Sequence, residues 1–348
     1  MREMVLDFLQ KEIDLEHIPG GAVSVSLKGE VLLEEAIGYQ SIYPEKQIMK
    51  LNTIFDIASL TKVVATLPVL LKLMEVGEIR LDDVVSFFLP KFAKNGKESI
   101  TLRDLLTHTS GLPAYRQYYK EGLNKNQIVS EICDESLEYE TGRKVIYSDL
   151  GLIILYKLIE TVTGEKFEVF LQREFFTPME MKETGFNPAK NIDRFAPTEF
   201  SKELKEYKRG VVHDENAETM GGVSGHAGLF STLKDLQNYS SMIENNGKYK
   251  GKTILSESVI ELSKENYTPF AKEYRGLGWL LKGPSLSSCG DLFSQTSYGH
   301  TGFTGTSVWF DPEAELNVIL LTNRVHLGRQ PQILRLRPRL HNIIRSHL

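Results

Sequence analysis

Two β-rich stretches lie at opposite ends of this 348-residue chain, and the pattern between them is mainly helical. Residues 22–40 read AVSVSLKGEVLLEEAIGYQ, where valines alternate with serines before a Lys28-Gly29 turn. Such alternation predicts a β-hairpin with one buried face. Residues 305–324 read GTSVWFDPEAELNVILLTNR, which predicts two strands joined by a proline-containing turn. The simplest arrangement is one antiparallel sheet built from both ends of the chain.

Helices are predicted beside this sheet and between its halves. Apolar residues at helical spacing predict an amphipathic helix over residues 4–13, and residues 332–348 predict a basic amphipathic helix. This last helix is expected to pack on the sheet; the alternative is binding to an anionic surface. The predicted fold class is therefore α+β: an antiparallel sheet flanked by terminal helices, with an inserted helical region. We expect a single unit, with residues 1–57 and about 200–348 in a sheet subdomain and about 58–199 in a mainly helical subdomain.

Composition excludes several classes of protein. The net charge is -5, so no basic surface for nucleic acid is indicated. The two cysteines, Cys133 and Cys289, are far apart, which argues against a thiolate zinc site or a disulfide framework and predicts two buried thiols. No apolar run is long enough to span a bilayer, and the first residues lack the apolar core of a secretory signal. The expectation is a cytoplasmic protein, or a chain from which a leader has been removed.

The segment FDIASLTKVVATLPVLLKLMEVGE places Ser59 one helical turn before Lys62, at the expected start of a helix. A serine hydroxyl needs a nearby base to act as a nucleophile. The positive end of the helix dipole would lower the pKa of Lys62, whose neutral amine could then take the serine proton. The alternative is that Ser59 only caps the helix and Lys62 is solvated.

Two later stretches offer partners for this pair. The segment VIYSDLGL places Tyr147 and Asp149 just before an apolar helix, and a loop tyrosine can act as a base when a cation lowers its pKa. The alternative is a packed tyrosine and a helix-capping aspartate. The segment YGHTGFTGTSVWF contains Gly302 and Gly305, so its backbone N–H groups could approach a ligand and stabilise an oxyanion together with the N–H of Ser59. The alternative is a glycine-rich turn that leads into a strand.

Together these stretches resemble the three active-site motifs of serine β-lactamases and penicillin-binding proteins, in order and approximate spacing. The matching residues are Ser59 and Lys62, Tyr147 and Asp149, and His300, Thr301 and Gly302. The tyrosine in the second motif is similar to that of class C β-lactamases and their esterase and peptidase relatives. Residues 101–113 (TLRDLLTHTSGLP) and 221–236 (GGVSGHAGLFSTLKDL) resemble further segments of this family. The resemblance implies an antiparallel sheet and a helical region with the site between them.

The resemblance also implies roles for these residues. Ser59 would be the acylated nucleophile, Lys62 and Tyr147 the base system, and the N–H groups of Ser59 and Phe303 the oxyanion hole. Asp149, His300, Thr301 and Gly302 would contact the substrate, and no metal or organic cofactor would be needed. The expected partner is a small molecule: an ester, a β-lactam or a cell-wall peptide.

Two departures from the family pattern bear on the substrate. Asp149 replaces the usual asparagine; an ionised aspartate accepts but does not donate, so it could hold Lys62 charged. His300 replaces the usual lysine and is mostly neutral at pH 7 unless its surroundings raise its pKa. Both changes are expected to weaken recognition of a β-lactam or of an acyl-D-alanyl-D-alanine end, whereas the nucleophile and its activator are kept. We therefore expect acyl transfer, with a small ester or a cell-wall peptide as the substrate.

Two other functions compete with a serine hydrolase. A binding module could keep the fold and only hold a ligand, although it would need none of Ser59, Lys62 and Tyr147. A metal hydrolase could use nearby imidazole and carboxylate groups. The candidates for such a site are His213, Asp214, Glu215 and His226, but they have no H-E-x-x-H spacing, and His213 and Asp214 are expected to order a loop at the pocket rim. His108 and Ser110 are expected to be turn residues, and no G-x-S-x-G motif is present.

Overall fold

A seven-stranded antiparallel sheet forms the centre of the computed structural model, which describes residues 1–284 and 287–348. The strands are β1 (Gly20–Leu27), β2 (Glu30–Ser41), β3 (Gln47–Ile48), β4 (Phe55–Asp56), β5 (Gly185–Phe186), β6 (Phe200–Ser201), β7 (Glu206–Tyr207), β8 (Leu229–Ser231), β9 (Lys248–Tyr249), β10 (Lys252–Thr253), β11 (Leu280–Leu281), β12 (Tyr298–Thr301), β13 (Ser307–Asp311) and β14 (Leu316–Thr322). The order in the main sheet is β11-β12-β13-β14-β1-β2-β3. The first long strand therefore pairs with the last, as predicted.

Helices cover both faces of this sheet. The helices of the described chain are α1 (Arg2–Asp14), α2 (Leu67–Glu75), α3 (Val85–Phe88), α4 (Leu102–Leu106), α5 (Lys125–Asp134), α6 (Asp149–Thr163), α7 (Phe167–Leu171), α8 (Glu215–Thr219), α9 (Leu233–Glu244), α10 (Glu257–Lys264) and α11 (Ile333–Arg345); α1 and α11 pack on one face of the sheet and α9 on the other. The predicted α+β fold class, with terminal helices beside an antiparallel sheet, is confirmed. The division into two subdomains stays a prediction.

The alternation in β1 determines which helices pack on each face of the sheet. Val23 and Val25 belong to one apolar cluster with residues of α1 and α11, because side chains two apart in a strand point to the same face. Ser24 and Ser26 face the opposite way and are also buried, so the expectation of a single buried face is wrong. The amide of Gln237 on α9 donates to Ser24 Oγ over 3.0 Å. Polar side chains on α9 thus supply the hydrogen bonds that buried serines require.

The apolar core around α6 is continuous with the face of the sheet that packs on α9. Helix α6 is buried along most of its length and ends at Gly164, whose φ of 68° is the left-handed conformation that glycine adopts without strain. Cys133 and Cys289 are both buried free thiols, as expected. In the described part of the chain, no helix combines the length and the apolar character that crossing a bilayer requires.

Candidate active site

The serine of the first motif lies on a short turn between β4 and α2. Residues 58–60 form a 3-10 turn that contains Ser59, and residues 62–66 form a π-helical turn that begins at Lys62. Ala58 has a φ of 48°, which is uncommon for any residue but glycine. The carboxylate of Asp56 accepts the N–H of Ala58 over 2.8 Å and the N–H of His213 over 2.6 Å. A buried aspartate therefore holds the strained backbone that presents Ser59.

The Lys62 ammonium is buried at the centre of the site and contacts three groups. Its Nζ donates to Ser59 Oγ over 2.9 Å and to the carbonyl oxygen of His226 over 2.9 Å. It also forms an ion pair with Asp149 Oδ1 over 2.8 Å. Burial lowers the pKa of Lys62, but the charge of the Asp149 carboxylate and hydrogen bonds to Asp149 and Tyr147 oppose it, and the pKa is raised overall. The expectation of a lowered pKa is therefore wrong, and Lys62 is a cation in the resting site.

Tyr147 lies beside this cation, on the segment that leads into α6. Its ring centroid is 4.8 Å from Lys62 Nζ and 4.4 Å from the centroid of the His108 ring. Burial raises the pKa of the Tyr147 phenol more than Lys62 and Ser59 lower it, so the phenol is neutral at rest. The nucleophile, the cation and the tyrosine of the first two motifs are thus brought together as predicted.

Two hydroxyl groups form hydrogen bonds between the glycine-rich turn after β12 and the turn that carries Ser59, which we call the nucleophile turn. Thr304 Oγ donates to the carbonyl oxygen of Asp56 over 2.8 Å, and Thr306 Oγ donates to that of Ile57 over 3.1 Å. Because Asp56 and Ile57 directly precede the turn that carries Ser59, these bonds set the distance between the two turns. Gly302 lies in the contact, where a Cβ would come within 2.5 Å of the Ile57 oxygen.

Two backbone donors of these turns have no partner. Within residues 1–284 and 287–348, neither the N–H of Ser59 nor the N–H of Phe303 donates a hydrogen bond. Free N–H groups on adjoining turns beside a serine hydroxyl are what an oxyanion hole requires. The Phe303 ring is half exposed at the rim, where it stacks on His213 and lies 4.8 Å from the Arg324 guanidinium.

His300 of the third motif is buried and neutral. Burial, with the Arg275 and Lys62 cations, holds its pKa well below the usual value. Its Nδ1 lies 3.0 Å from the carbonyl oxygen of Thr301, the last residue of β12. The cation in this part of the site is instead Arg275, whose guanidinium lies 5.3 Å from the Tyr147 ring centroid. This guanidinium forms an ion pair with Glu273, to which its Nε donates over 2.9 Å and its Nη2 donates as well.

Comparison with known proteins identifies the family to which this chain belongs. The family model described as Beta-lactamase matches residues 7–341. The chain belongs to the β-lactamase family. The relatives and the site together show that this β-lactamase-family protein is a serine hydrolase.

Curated relatives extend over most of the chain. An N-acetylmuramyl-L-alanine amidase of Bacillus subtilis is 32% identical over 345 residues, which cover 88% of this chain and 78% of that protein. A putative D-alanyl-D-alanine carboxypeptidase of Escherichia coli is 30% identical over 359 residues, covering 92% of this chain and 81% of the relative.

Solved structures agree on the fold. EstCE1, a hydrolase with promiscuous acyltransferase activity, matches with a TM-score of 0.79 and 23% identity over 97% of this chain and 98% of that one. A class C β-lactamase from Rhodobacter sphaeroides matches with a TM-score of 0.77 and 17% identity over 99% of both chains. At these identities the likeness shows the fold of the family.

The residues considered for a metal site have other contacts in this β-lactamase-family structure. His226 Nε2 lies 2.9 Å from Asp214 Oδ1, and its Nδ1 lies 2.8 Å from Ser224 Oγ. His213 Nε2 lies 3.0 Å from a Glu199 oxygen. Among the described residues, no three histidine, cysteine or acidic side chains form a group that could hold a metal ion. The contacts of His226 instead fix the loop whose carbonyl oxygen accepts from Lys62.

His108 does more than the turn role expected for it. It has a φ of 59°, and its Nδ1 accepts the N–H of Ser148 over 3.1 Å. Its ring therefore packs against the Tyr147 ring and holds the neighbouring Ser148, which lies forty residues further along the chain. Ser110 is a turn residue as predicted, since its Oγ accepts the N–H of Leu112 over 3.3 Å.

Two arginines near the site were missed by sequence reasoning. Arg275 lies beside Tyr147 and His300, and Arg337 of α11 donates to the carbonyl oxygen of Gly302. Neither belongs to a motif. Arg337 is one of several basic residues in a helix whose pattern predicts only packing on the sheet, so no local signal separates it from its neighbours.

Proposed function

We propose that this hydrolase cleaves an amide or ester bond near a free carboxylate of a small cell-wall peptide, through an acyl-Ser59 intermediate. The observation that carries the proposal is the Lys62 ammonium, which contacts Ser59 Oγ and Asp149 while Tyr147 lies beside it. A pure binding pocket needs no such arrangement, because burying a charged pair is costly. The relatives named as an amidase and as a putative carboxypeptidase support the peptide class.

The charges of the site determine the path of the proton. Because Asp149 keeps Lys62 protonated, the active form of the site arises when Tyr147 loses its proton to solvent, and the resulting phenolate is stabilised by the Lys62 ammonium. The Ser59 hydroxyl then transfers its proton to this phenolate as Oγ attacks the substrate carbonyl carbon. Tyr147 passes the proton to the leaving nitrogen or oxygen. In the second half, the Tyr147 phenolate takes a proton from water as the water oxygen attacks the acyl carbon, and Tyr147 returns this proton to Ser59 Oγ as the ester bond breaks.

The N–H groups of Ser59 and Phe303 would donate hydrogen bonds to the substrate oxygen and stabilise its developing negative charge. Arg275 would bind the substrate carboxylate, with the Thr301 hydroxyl beside it, since His300 is neutral. Because Nε and Nη2 of Arg275 already donate to Glu273, the substrate carboxylate would bind the remaining N–H groups of the guanidinium. Asp149 faces Lys62 and offers no donor to a substrate amide, so β-lactams should react slowly.

Intact-mass spectrometry tests this mechanism. The protein is mixed separately with a fluorescent penicillin, p-nitrophenyl butyrate and a peptide that ends in D-alanyl-D-alanine, and product release is followed over time. We expect an adduct on Ser59, slow penicillin turnover and faster peptide or ester turnover. Ser59→Ala should lose the adduct and the turnover, whereas the control Ser346→Ala, on the exposed C-terminal turn, should keep both. Unchanged turnover in Ser59→Ala would refute the mechanism, and an adduct without turnover would favour a binding module.

A further inference from the structure

Arg337 is a buried cation on α11. Its side chain is 3% exposed. No carboxylate lies within ion-pair distance of it in the part of the chain that the structure describes. Its Nη2 donates to the carbonyl oxygens of Gly302 and Thr306, each over 2.8 Å, while its Nε is buried without a partner. Burying a charge without a counter-charge is costly, so its retention calls for a role beyond filling space.

The first of these carbonyl groups belongs to a particular peptide unit. The C=O of Gly302 and the N–H of Phe303 are the two ends of the same amide group. A donor on the amide oxygen polarises the amide and makes its N–H a stronger donor, and the effect is larger when the donor is charged. The N–H of Phe303 is one of the two unpartnered donors beside Ser59.

The next peptide unit is held in the same way. Arg324 Nε donates to the carbonyl oxygen of Phe303 over 2.9 Å. Thr306, the second acceptor of Arg337, also donates through its hydroxyl to Ile57 of the nucleophile turn. Arg337 therefore contacts both ends of the turn that carries the Phe303 N–H, and it does so from a helix on the far side of the sheet.

We propose that Arg337 is a positioning residue that orients and polarises the Gly302–Phe303 peptide as part of the oxyanion hole. The inference rests on the proposed function, because it requires acylation of Ser59. The alternative is that Arg337 only fixes α11 to the sheet. The two roles differ in their dependence on charge: polarisation requires a cation at the Gly302 oxygen, whereas packing requires only a side chain of similar volume.

The test compares Arg337→Met, which keeps the bulk, with Arg337→Lys, which keeps the charge. The control is Arg339→Met, which removes an arginine of the same helix that pairs with Glu12. Acylation is followed as the burst with p-nitrophenyl butyrate. Affinity for the oxyanion is measured with phenylboronic acid, whose tetrahedral adduct on Ser59 places an oxygen in the hole. Melting temperatures are recorded for every variant.

Removing a whole oxyanion donor costs about 10²- to 10³-fold in rate, and Arg337 strengthens one of two donors, so a loss of about tenfold is expected. Arg337→Met should acylate about tenfold more slowly and bind the boronic acid about tenfold more weakly, with KM within twofold of wild type. Arg337→Lys should recover most of both losses, and Arg339→Met should match wild type.

Wild-type acylation and boronate affinity in folded Arg337→Met would overturn the inference. The Lys and Met variants could instead lose acylation rate and boronate affinity equally, in proportion to their fall in melting temperature. That result would show that Arg337 only packs α11 on the sheet, and it would also overturn the inference. If Arg337→Met does not fold, folded Arg337→Lys and Arg337→Gln decide by the same comparison of charged and neutral side chains. If wild-type Ser59 forms no adduct at all, the proposed function fails and this inference fails with it.

Discussion

Gly302 is the position where the smallest change should most disturb the active site. A Cβ added there would lie 2.1 Å from Thr306 Oγ and 2.5 Å from the carbonyl oxygen of Ile57, whereas ordinary contacts begin at 3.4 Å. The Thr306 side chain can rotate away. The Ile57 oxygen belongs to the backbone of the nucleophile turn, so Gly302→Ala must push the two turns apart by about 0.9 Å.

That displacement acts on the geometry of catalysis. A misplacement of about 1 Å in a catalytic group can lower the rate about 10²-fold, and loss of one oxyanion donor costs about 10²- to 10³-fold. We expect Gly302→Ala to lower kcat for p-nitrophenyl butyrate about 100-fold with little change in KM. The crowding should also lower the free energy of unfolding by about 1–3 kcal/mol. Burst kinetics and urea unfolding measure the two effects separately.

The matched control is Gly185→Ala, because a Cβ at Gly185 would meet nothing within 4 Å. It should retain wild-type activity. Adding Thr306→Ala to Gly302→Ala removes the nearer contact but leaves the Ile57 oxygen in place, so the double variant should stay slow. Activity of Gly302→Ala within twofold of wild type, or its recovery in the double variant, would refute the reasoning.

Three further substitutions test charges in and beyond the site. The carboxylate of Asp149 raises the pKa of both Lys62 and Tyr147, so Asp149→Asn should move the rising limb of kcat/KM for penicillin acylation to lower pH; an unmoved limb would contradict the proposed proton path. Arg275→Gln should raise KM about tenfold for a peptide with a free C-terminal carboxylate and leave KM for the amidated peptide unchanged; equal effects on both peptides would remove Arg275 from the carboxylate subsite. Burial raises the pKa of Glu244 to about 7 from about 4.5, so the folded state binds more protons and stability is lost as pH rises between these values. Glu244→Gln should therefore be more stable than wild type at pH 8.5, by at most about 3 kcal/mol, and the gain should shrink at pH 5; an equal gain at both pH values would exclude this explanation.

Much of the sheet could be predicted because its long strands carry a local pattern. Alternation in residues 20–41 and the apolar runs in residues 307–322 both mark strands that are five residues or longer. The strands of only two residues, such as β5 and β11, carry no period and were not predicted. The burial of Ser24 and Ser26 was also missed, because their hydrogen-bond partners lie on α9, far along the chain.

In the candidate site, too, local patterns predict some features, whereas others depend on contacts that are distant in sequence. Ser59, Lys62 and Tyr147 were found because each lies in a short motif that resembles a known family. The pKa of Lys62 was predicted in the wrong direction when only the helix dipole was considered. That argument is local, whereas the raised pKa depends on Asp149 at the start of a different helix. The prediction that Asp149 could hold Lys62 charged used this long-range contact and agrees with the structure.

The charge balance of the site connects its two departures from the family pattern. The cations Lys62, Arg275 and Arg337 all lie close enough to lower the pKa of His300, and the first two also lower the pKa of the His108 imidazole, after the effect of burial. Two neutral imidazoles therefore occupy positions where a further cation would be repelled. A lysine at position 300 would add a fourth buried positive charge. The presence of Arg275 therefore favours a neutral histidine at this position. Under the proposed function, Arg275, which is paired with Glu273, takes the place of the usual lysine as the cation beside the third motif.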